Sequence, residues 1–89
     1  MFFINFIHVL KVLYKIYPNP TSYDFNVTAN SLMDEVISVF IFDMHGKQLK
    51  RISIKSGELN KLGPDFKSGV YFMRFVQRGE SKTEKIIKL

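Results

Sequence analysis

The chain has 89 residues, 46% of them hydrophobic and 15% aromatic, which is enough for one small core and excludes a two-domain enzyme. Thirteen Lys and Arg against eight Asp and Glu leave a formal charge of +5, which favours acidic partners without specifying a fold. The lack of Cys removes disulfides, thiolate metal sites and cysteine nucleophiles, and the 24% of charged residues, mixed in sign beside nine Phe and four Tyr, exclude a disordered tail.

Met1–Leu13, MFFINFIHVLKVL, is dense in Phe, Ile, Val and Leu but is interrupted by Asn5, His8 and Lys11. It falls short of the roughly 20 apolar residues that a helical span needs. Lys11 and Lys15 follow the apolar run instead of preceding it, and no A-x-A-like site appears, so the segment does not read as a secretory leader. Phe2, Phe6, Val9 and Leu13 suit one helical face, whereas Ile7 and Val9 suit a strand. A first strand, an amphipathic helix and a remnant of an upstream region all stay open. Residues 1–15 are set apart as an apolar N-terminal extension, and residues 16–89 as one domain.

Ser22–Asn30 alternates Tyr23, Phe25 and Val27 against Asp24, Asn26 and Thr28, the period of a strand with one wet face. Val36–Phe42, VISVFIF, is apolar on both parities and predicts a central strand covered on both sides. Asp43-Met44-His45-Gly46 supplies a turn, and Lys47–Lys55 returns as the second arm of a hairpin. The parity change between Leu49 and Ile52 predicts a bulge, or a strand that swaps faces, near Lys50-Arg51. Leu59 and Leu62 lie in a connection closed by the Gly63-Pro64-Asp65 reversal. Val70–Val76, VYFMRFV, is again apolar on both parities apart from Arg74, and a polar loop around Gly79 joins it to a final strand, Lys82–Leu89. Strands recurring at this spacing predict a β-sandwich or small barrel with no long helix.

Reactive constellations are missing from the sequence. His8 and His45 stand apart, and neither is at metal-ligand spacing from a partner; a turn accounts for His45. Adjacent Asp34 and Glu35 read as a solvated loop, not as an acid–base pair. No nucleophile elbow, phosphate-cradling glycine loop or paired-histidine zinc motif occurs. Asn26-Val27-Thr28 matches a glycosylation sequon but falls inside a predicted strand. Catalysis and cofactors are therefore not expected. Lys67–Phe75 mixes basic and aromatic residues as a nucleic-acid surface would, but Tyr71 and Phe75 share one face and Phe72 takes the other, which is the register of a buried strand; nucleic acid is not expected as a partner.

Four pieces then occur in order: Tyr17-Pro18-Asn19-Pro20 ahead of an alternating strand, Ile41-Phe42-Asp43-Met44-His45-Gly46-Lys47, Ser68-Gly69-Val70-Tyr71-Phe72, and Lys85-Ile86-Ile87-Lys88-Leu89 at the end. Over about residues 16–89 the chain resembles the type A C-terminal sorting domain of the Bacteroidetes type IX secretion system. The resemblance implies an all-β fold, an immunoglobulin-like antiparallel sandwich of about seven strands. It also implies a non-catalytic address for fused cargo, recognised by the outer-membrane translocon after passage through the periplasm. A sortase-like peptidase would remove the domain, and the product would be secreted or held at the cell surface. The alternative is a sandwich module that binds protein or carbohydrate.

Each motif also has a purely structural reading. Pro18 and Pro20 bias Tyr17 and Asn19 away from helix, so the segment enters the sheet extended. Asp43, Gly46 and Lys47 would hold hairpin register, and Gly69 would permit close backbone approach beside Tyr71. In the last strand Lys85 and Leu89 fall on one face and Lys88 on the other. These lysines are either gatekeepers of an edge strand or elements of recognition, and a free terminal edge would suit peeling away or pairing with a receptor strand. Exposed edges and the apolar start would also allow a homodimer.

Overall fold

Alternation along the chain builds two layers in a computed structural model that describes residues 12–32 and 35–89. Those residues form β1 (Leu13–Tyr17), β2 (Phe25–Asn30), β3 (Ile37–Asp43), β4 (Gln48–Ile54), β5 (Asn60–Leu62), β6 (Gly69–Gln77) and β7 (Glu80–Lys88), and no helix. One sheet has the order β1-β2-β5 and the other β4-β3-β6-β7, with all neighbours antiparallel. Lettered in immunoglobulin fashion, with β4 as C′, this is A-B-E against C′-C-F-G, so the expected immunoglobulin-like sandwich is the fold observed.

The inward parity of each long strand makes the core. Phe25, Val27 and Ala29 of β2 face Ile37, Val39 and Ile41 of β3, with Ile54, Met73, Phe75 and Ile86 completing a layer that is essentially solvent-free. Each such large side chain contributes roughly 1.5–3 kcal/mol by leaving water. Tyr14 ties the sheets together: its ring stacks on Phe75 with centroids 4.6 Å apart, and its hydroxyl donates to Glu84 Oε1 at 3.1 Å. Burial, with the Glu84 carboxylate beside it, raises the Tyr14 hydroxyl above the ordinary tyrosine pKa.

Several local expectations are corrected. The strand expected from Ser22 begins only at Phe25, because Thr21 Oγ1 accepts from Tyr23 N and donates to Asp24 O, closing a turn that leaves Tyr23 exposed. β3 is covered on one side, not two: Ile37, Val39 and Ile41 are buried while Ser38, Phe40 and Phe42 are half-buried on an outer face. The described strands supply two layers, so β3 has a core on its inner side alone. The expected bulge is present: the β3–β4 register shifts between Ile41 and Phe42, which face Lys50 and Gln48, so Leu49, next to Lys50-Arg51, is the extra residue. The connection through Leu59 and Leu62 contains a strand, β5, too short at three residues to show a period.

Residues 1–11 lie outside the described residues, and with them the alternatives for the apolar start; Met33 and Asp34 do so as well. Val12 is buried and β1 opens at Leu13, so the first layer draws on residues that the sequence reading placed ahead of the domain.

Candidate functional site at one pole of the sandwich

The strand registers bring the four sequence motifs to one end of the molecule. Asp43 pairs with Tyr71, Tyr71 with Ile86, and Gly69 with Lys88. On the other sheet Tyr17 pairs with Asn26, beside the Phe25–Leu62 pair that ends β5. Between β1 and β2 the chain leaves its own sheet and runs along the edge of β7, and this short excursion joins the Tyr17–Pro20 motif to the carboxyl terminus.

Asn19 and Thr21 make that junction. The Asn19 side chain donates from Nδ2 to Lys85 O at 3.0 Å and accepts from Ile87 N at 2.9 Å. Thr21 then forms a parallel bridge with Lys88, Thr21 N donating to Ile87 O at 3.1 Å and Leu89 N donating to Thr21 O at 2.8 Å. Both Tyr17–Pro18 and Asn19–Pro20 are cis, and Pro18, Asn19 and Pro20 are exposed. Over Lys85–Leu89 the edge of β7 is therefore occupied, which corrects the reading of a free terminal strand ready to peel away. The backbone donors and acceptors that an incoming strand would need already have partners.

Lys88 is not a gatekeeper. Its side chain is 5% exposed, and Nζ donates to the carbonyl oxygens of Tyr23, of Gly63 and, at 3.3 Å, of Pro64. A lysine head has three donors, and three acceptors from two separate loops meet them. The Tyr23 ring lies 6.0 Å from Nζ, at the limit of a cation–π contact. Lys85, by contrast, is exposed on the outer face of the same strand, as alternation requires. Ile86 is buried and Leu89 is 65% exposed, so within five residues the terminus is half anchor and half display.

The floor beneath Lys88 is equally constrained. Gly63 has φ +89°, and a Cβ there would stand 3.0 Å from Phe66 Cδ2 and 3.2 Å from Phe25 Cδ2, so a side chain would be strained by the backbone and would press both rings aside, while the glycine carbonyl points at Nζ. Phe66 packs on Tyr71 with centroids 4.8 Å apart, and the Tyr71 hydroxyl donates to Lys67 O at 2.7 Å, a tyrosine corner at the crossing from β5 to β6. Gly69 does not mark a close approach: a Cβ there would find Tyr71 Cε1 at 4.0 Å, an ordinary contact, because the Tyr71 ring swings down toward Phe66.

At the β3–β4 turn Asp43 Oδ1 accepts from His45 N at 2.8 Å and Lys47 N at 3.0 Å, and Gly46 N donates to Asp43 O at 3.0 Å. The Lys47 amide first, then His45, holds the Asp43 carboxyl below its ordinary pKa. Asn26, in the sequon, sits on β2 with Oδ1 accepting from Lys61 Nζ at 2.7 Å. Far from the pole, Glu35 takes a bidentate pair from Arg78, which lowers its carboxyl below the usual range.

Sequence reasoning identified Tyr17–Pro20 and Lys85–Leu89 but missed Thr21, Tyr23, Gly63 and Pro64. Those four act through backbone groups, which leave little trace in residue type. One signal existed: Lys88 shares the parity of Ile86, and a lysine on a core parity needs polar partners.

An A-B-E/C′-C-F-G sandwich whose last strand is fastened to its first loop is the class of molecule that these contacts define. The chain belongs to the secretion system C-terminal sorting domain family of type IX secretion, whose family model matches residues 15–89. No curated protein matches it. A domain of this family is a non-catalytic C-terminal secretion-targeting signal that interacts with the type IX machinery and implies export to the cell surface or medium via the outer membrane.

Proposed function

We propose that the address is the folded pole itself: Tyr17, Pro18, Asn19 and Pro20 together with Lys85 and Leu89, presented as one surface to the outer-membrane type IX translocon, with buried Lys88 fastening that surface from beneath. Cargo fused ahead of the domain follows it out of the periplasm, and a sortase-like peptidase then removes the domain. Asp43, Gly46, Lys47, Gly69 and Tyr71 serve by holding the pole in shape. The observation that carries this reading is the pair of hydrogen bonds at the Asn19 side chain, donated to Lys85 O and accepted from Ile87 N, which makes two motifs distant in sequence a single unit. Among the described strands β1 and β4 carry no partner on their outer edges, and these are where a second copy would add strands.

The test is export of a reporter fused ahead of residues 1–89 in a host that has the translocon. The intact fusion reaches the surface or medium, deletion of Lys85–Leu89 abolishes export, and Asn19→Ala lowers it. Surface delivery of the truncated fusion at the intact level would refute the reading. Export that is insensitive to Asn19→Ala, but lost on deletion, would leave a linear tail signal in place of a composite one.

A further inference from the structure

A sheet packed on one side carries polar residues on its other side, and the four-stranded sheet breaks that rule. β3 and β6 turn Phe40, Phe42, Val70, Phe72 and Val76 away from the core, each half-buried, with no third layer among the described residues. They form one patch. Phe42 faces Phe72 across β3 and β6, Val70 faces Ile87 across β6 and β7, and the Phe40 and Phe42 rings stack with centroids 6.4 Å apart. Both central strands are thus apolar on both parities although only one parity has a core.

Cations ring the patch. Arg51 pairs with Phe40 from β4 and sets its guanidinium 5.3 Å from the ring centroid. Arg74 flanks Phe40 from β6, and Lys85 flanks Phe72 from β7. The remaining outward strand positions hold Ser, Thr, Gln and Ile, with no Asp or Glu. The Glu35–Arg78 ion pair lies away at the β6–β7 turn.

We propose that this outer face docks an acidic protein segment, whose apolar side chains cover Phe40, Phe42 and Phe72 while its carboxylates meet Arg51, Arg74 and Lys85. An aromatic centre edged by arginine is the composition of protein interfaces. A second copy of this chain is disfavoured, because a two-fold contact would set like charges against each other. Stacked nucleic-acid bases are disfavoured too. Arg51 already covers Phe40, and the guanidinium keeps its planar fork free for a carboxylate. The inference shares Lys85 with the sorting reading but rests on Phe40, Phe42, Phe72, Arg51 and Arg74, and it survives the failure of that reading.

The test is titration of the isotope-labelled full chain, followed by amide NMR, with a synthetic peptide alternating Leu and Glu. The expected result is saturable shifts at Phe40–Phe42, Arg51, Phe72–Arg74 and Lys85. Arg74→Glu, at an exposed position, keeps the remaining spectrum and weakens binding at least about ten-fold. Equal binding of a Leu–Lys peptide would overturn the proposal, as would tighter binding of oligo-dT to these amides. Shifts elsewhere, no shifts at millimolar peptide, or concentration-dependent shifts of the same amides without peptide would also overturn it.

Discussion

Asn19 stands beside Ile87 as a strand residue would: one side-chain amide accepts from Ile87 N at 2.9 Å and donates to Lys85 O at 3.0 Å, bracketing Ile86. A single side chain thereby completes a stretch of ladder on the edge of β7. Each such bond contributes about 0.5–1.5 kcal/mol net, so Asn19→Ala, which removes two, is expected to cost about 1–3 kcal/mol. Asn19→Asp keeps the acceptor for Ile87 N but sets a carboxylate oxygen against Lys85 O, and should recover little of that loss. Urea unfolding checks this through a lower midpoint at unchanged slope. Equal midpoints for wild type and Asn19→Ala would show that water replaces the amide without loss.

The two lysines of the terminal strand should part company on substitution. Lys88→Met keeps the apolar stem but leaves the carbonyls of Tyr23, Gly63 and Pro64 without their donor in a buried site. The expected loss is about 3 kcal/mol. Lys85→Met, on the exposed face, should move stability by no more than about 0.5 kcal/mol. Thermal and urea unfolding of the pair settle it, and similar losses for both would mean that Lys88 Nζ reaches water.

Two glycines separate backbone conformation from crowding. Gly46 has φ +86° with nothing within 4 Å of an added methyl, so Gly46→Ala costs only the left-handed backbone, about 1–2 kcal/mol. Gly63 has nearly the same φ, +89°, but its new methyl would press on Phe66 and Phe25 and tilt the carbonyl that receives Lys88. Gly63→Ala should therefore cost more than Gly46→Ala by at least about 1 kcal/mol. The difference between the two unfolding midpoints measures it, and equal losses would show that the aromatic floor yields freely.

Phe25 and Val27 were legible as core because their neighbours Asn26 and Thr28 are polar, and a single period then admits one orientation. Phe40 and Phe72 were not, since apolarity on both parities describes a strand between two layers as well as a strand with an uncovered apolar face. The Asp43 turn could be read locally because both its bonds fall within four residues. Asn19 and Ile87 are 68 positions apart, and no local preference couples them. Tyr17–Pro20 and Lys85–Leu89 were thus visible as motifs, while their union depends on the excursion of residues 18–24 across to β7, a property of packing.

Acid should loosen the fold through the turn that Asp43 holds. Its carboxyl titrates lower in the folded chain than in the unfolded one, chiefly because the Lys47 amide donates to the charged form, with His45 adding to it. Glu35 is lowered in the same sense by its hydrogen bonds from Arg78. A depressed folded value means that the unfolded chain takes up protons first. The stabilisation is complete above the unfolded carboxyl range, about pH 4, and drains away as the pH falls through the lower folded values. Asp43→Asn keeps an acceptor at Oδ1 and removes the titration. Its unfolding midpoint should fall less steeply than that of wild type below about pH 4, with the two curves parallel near neutrality. Urea midpoints measured from neutral pH down to about pH 2 check this, and curves that stay parallel throughout would assign the acid sensitivity to Glu35 and Arg78 instead.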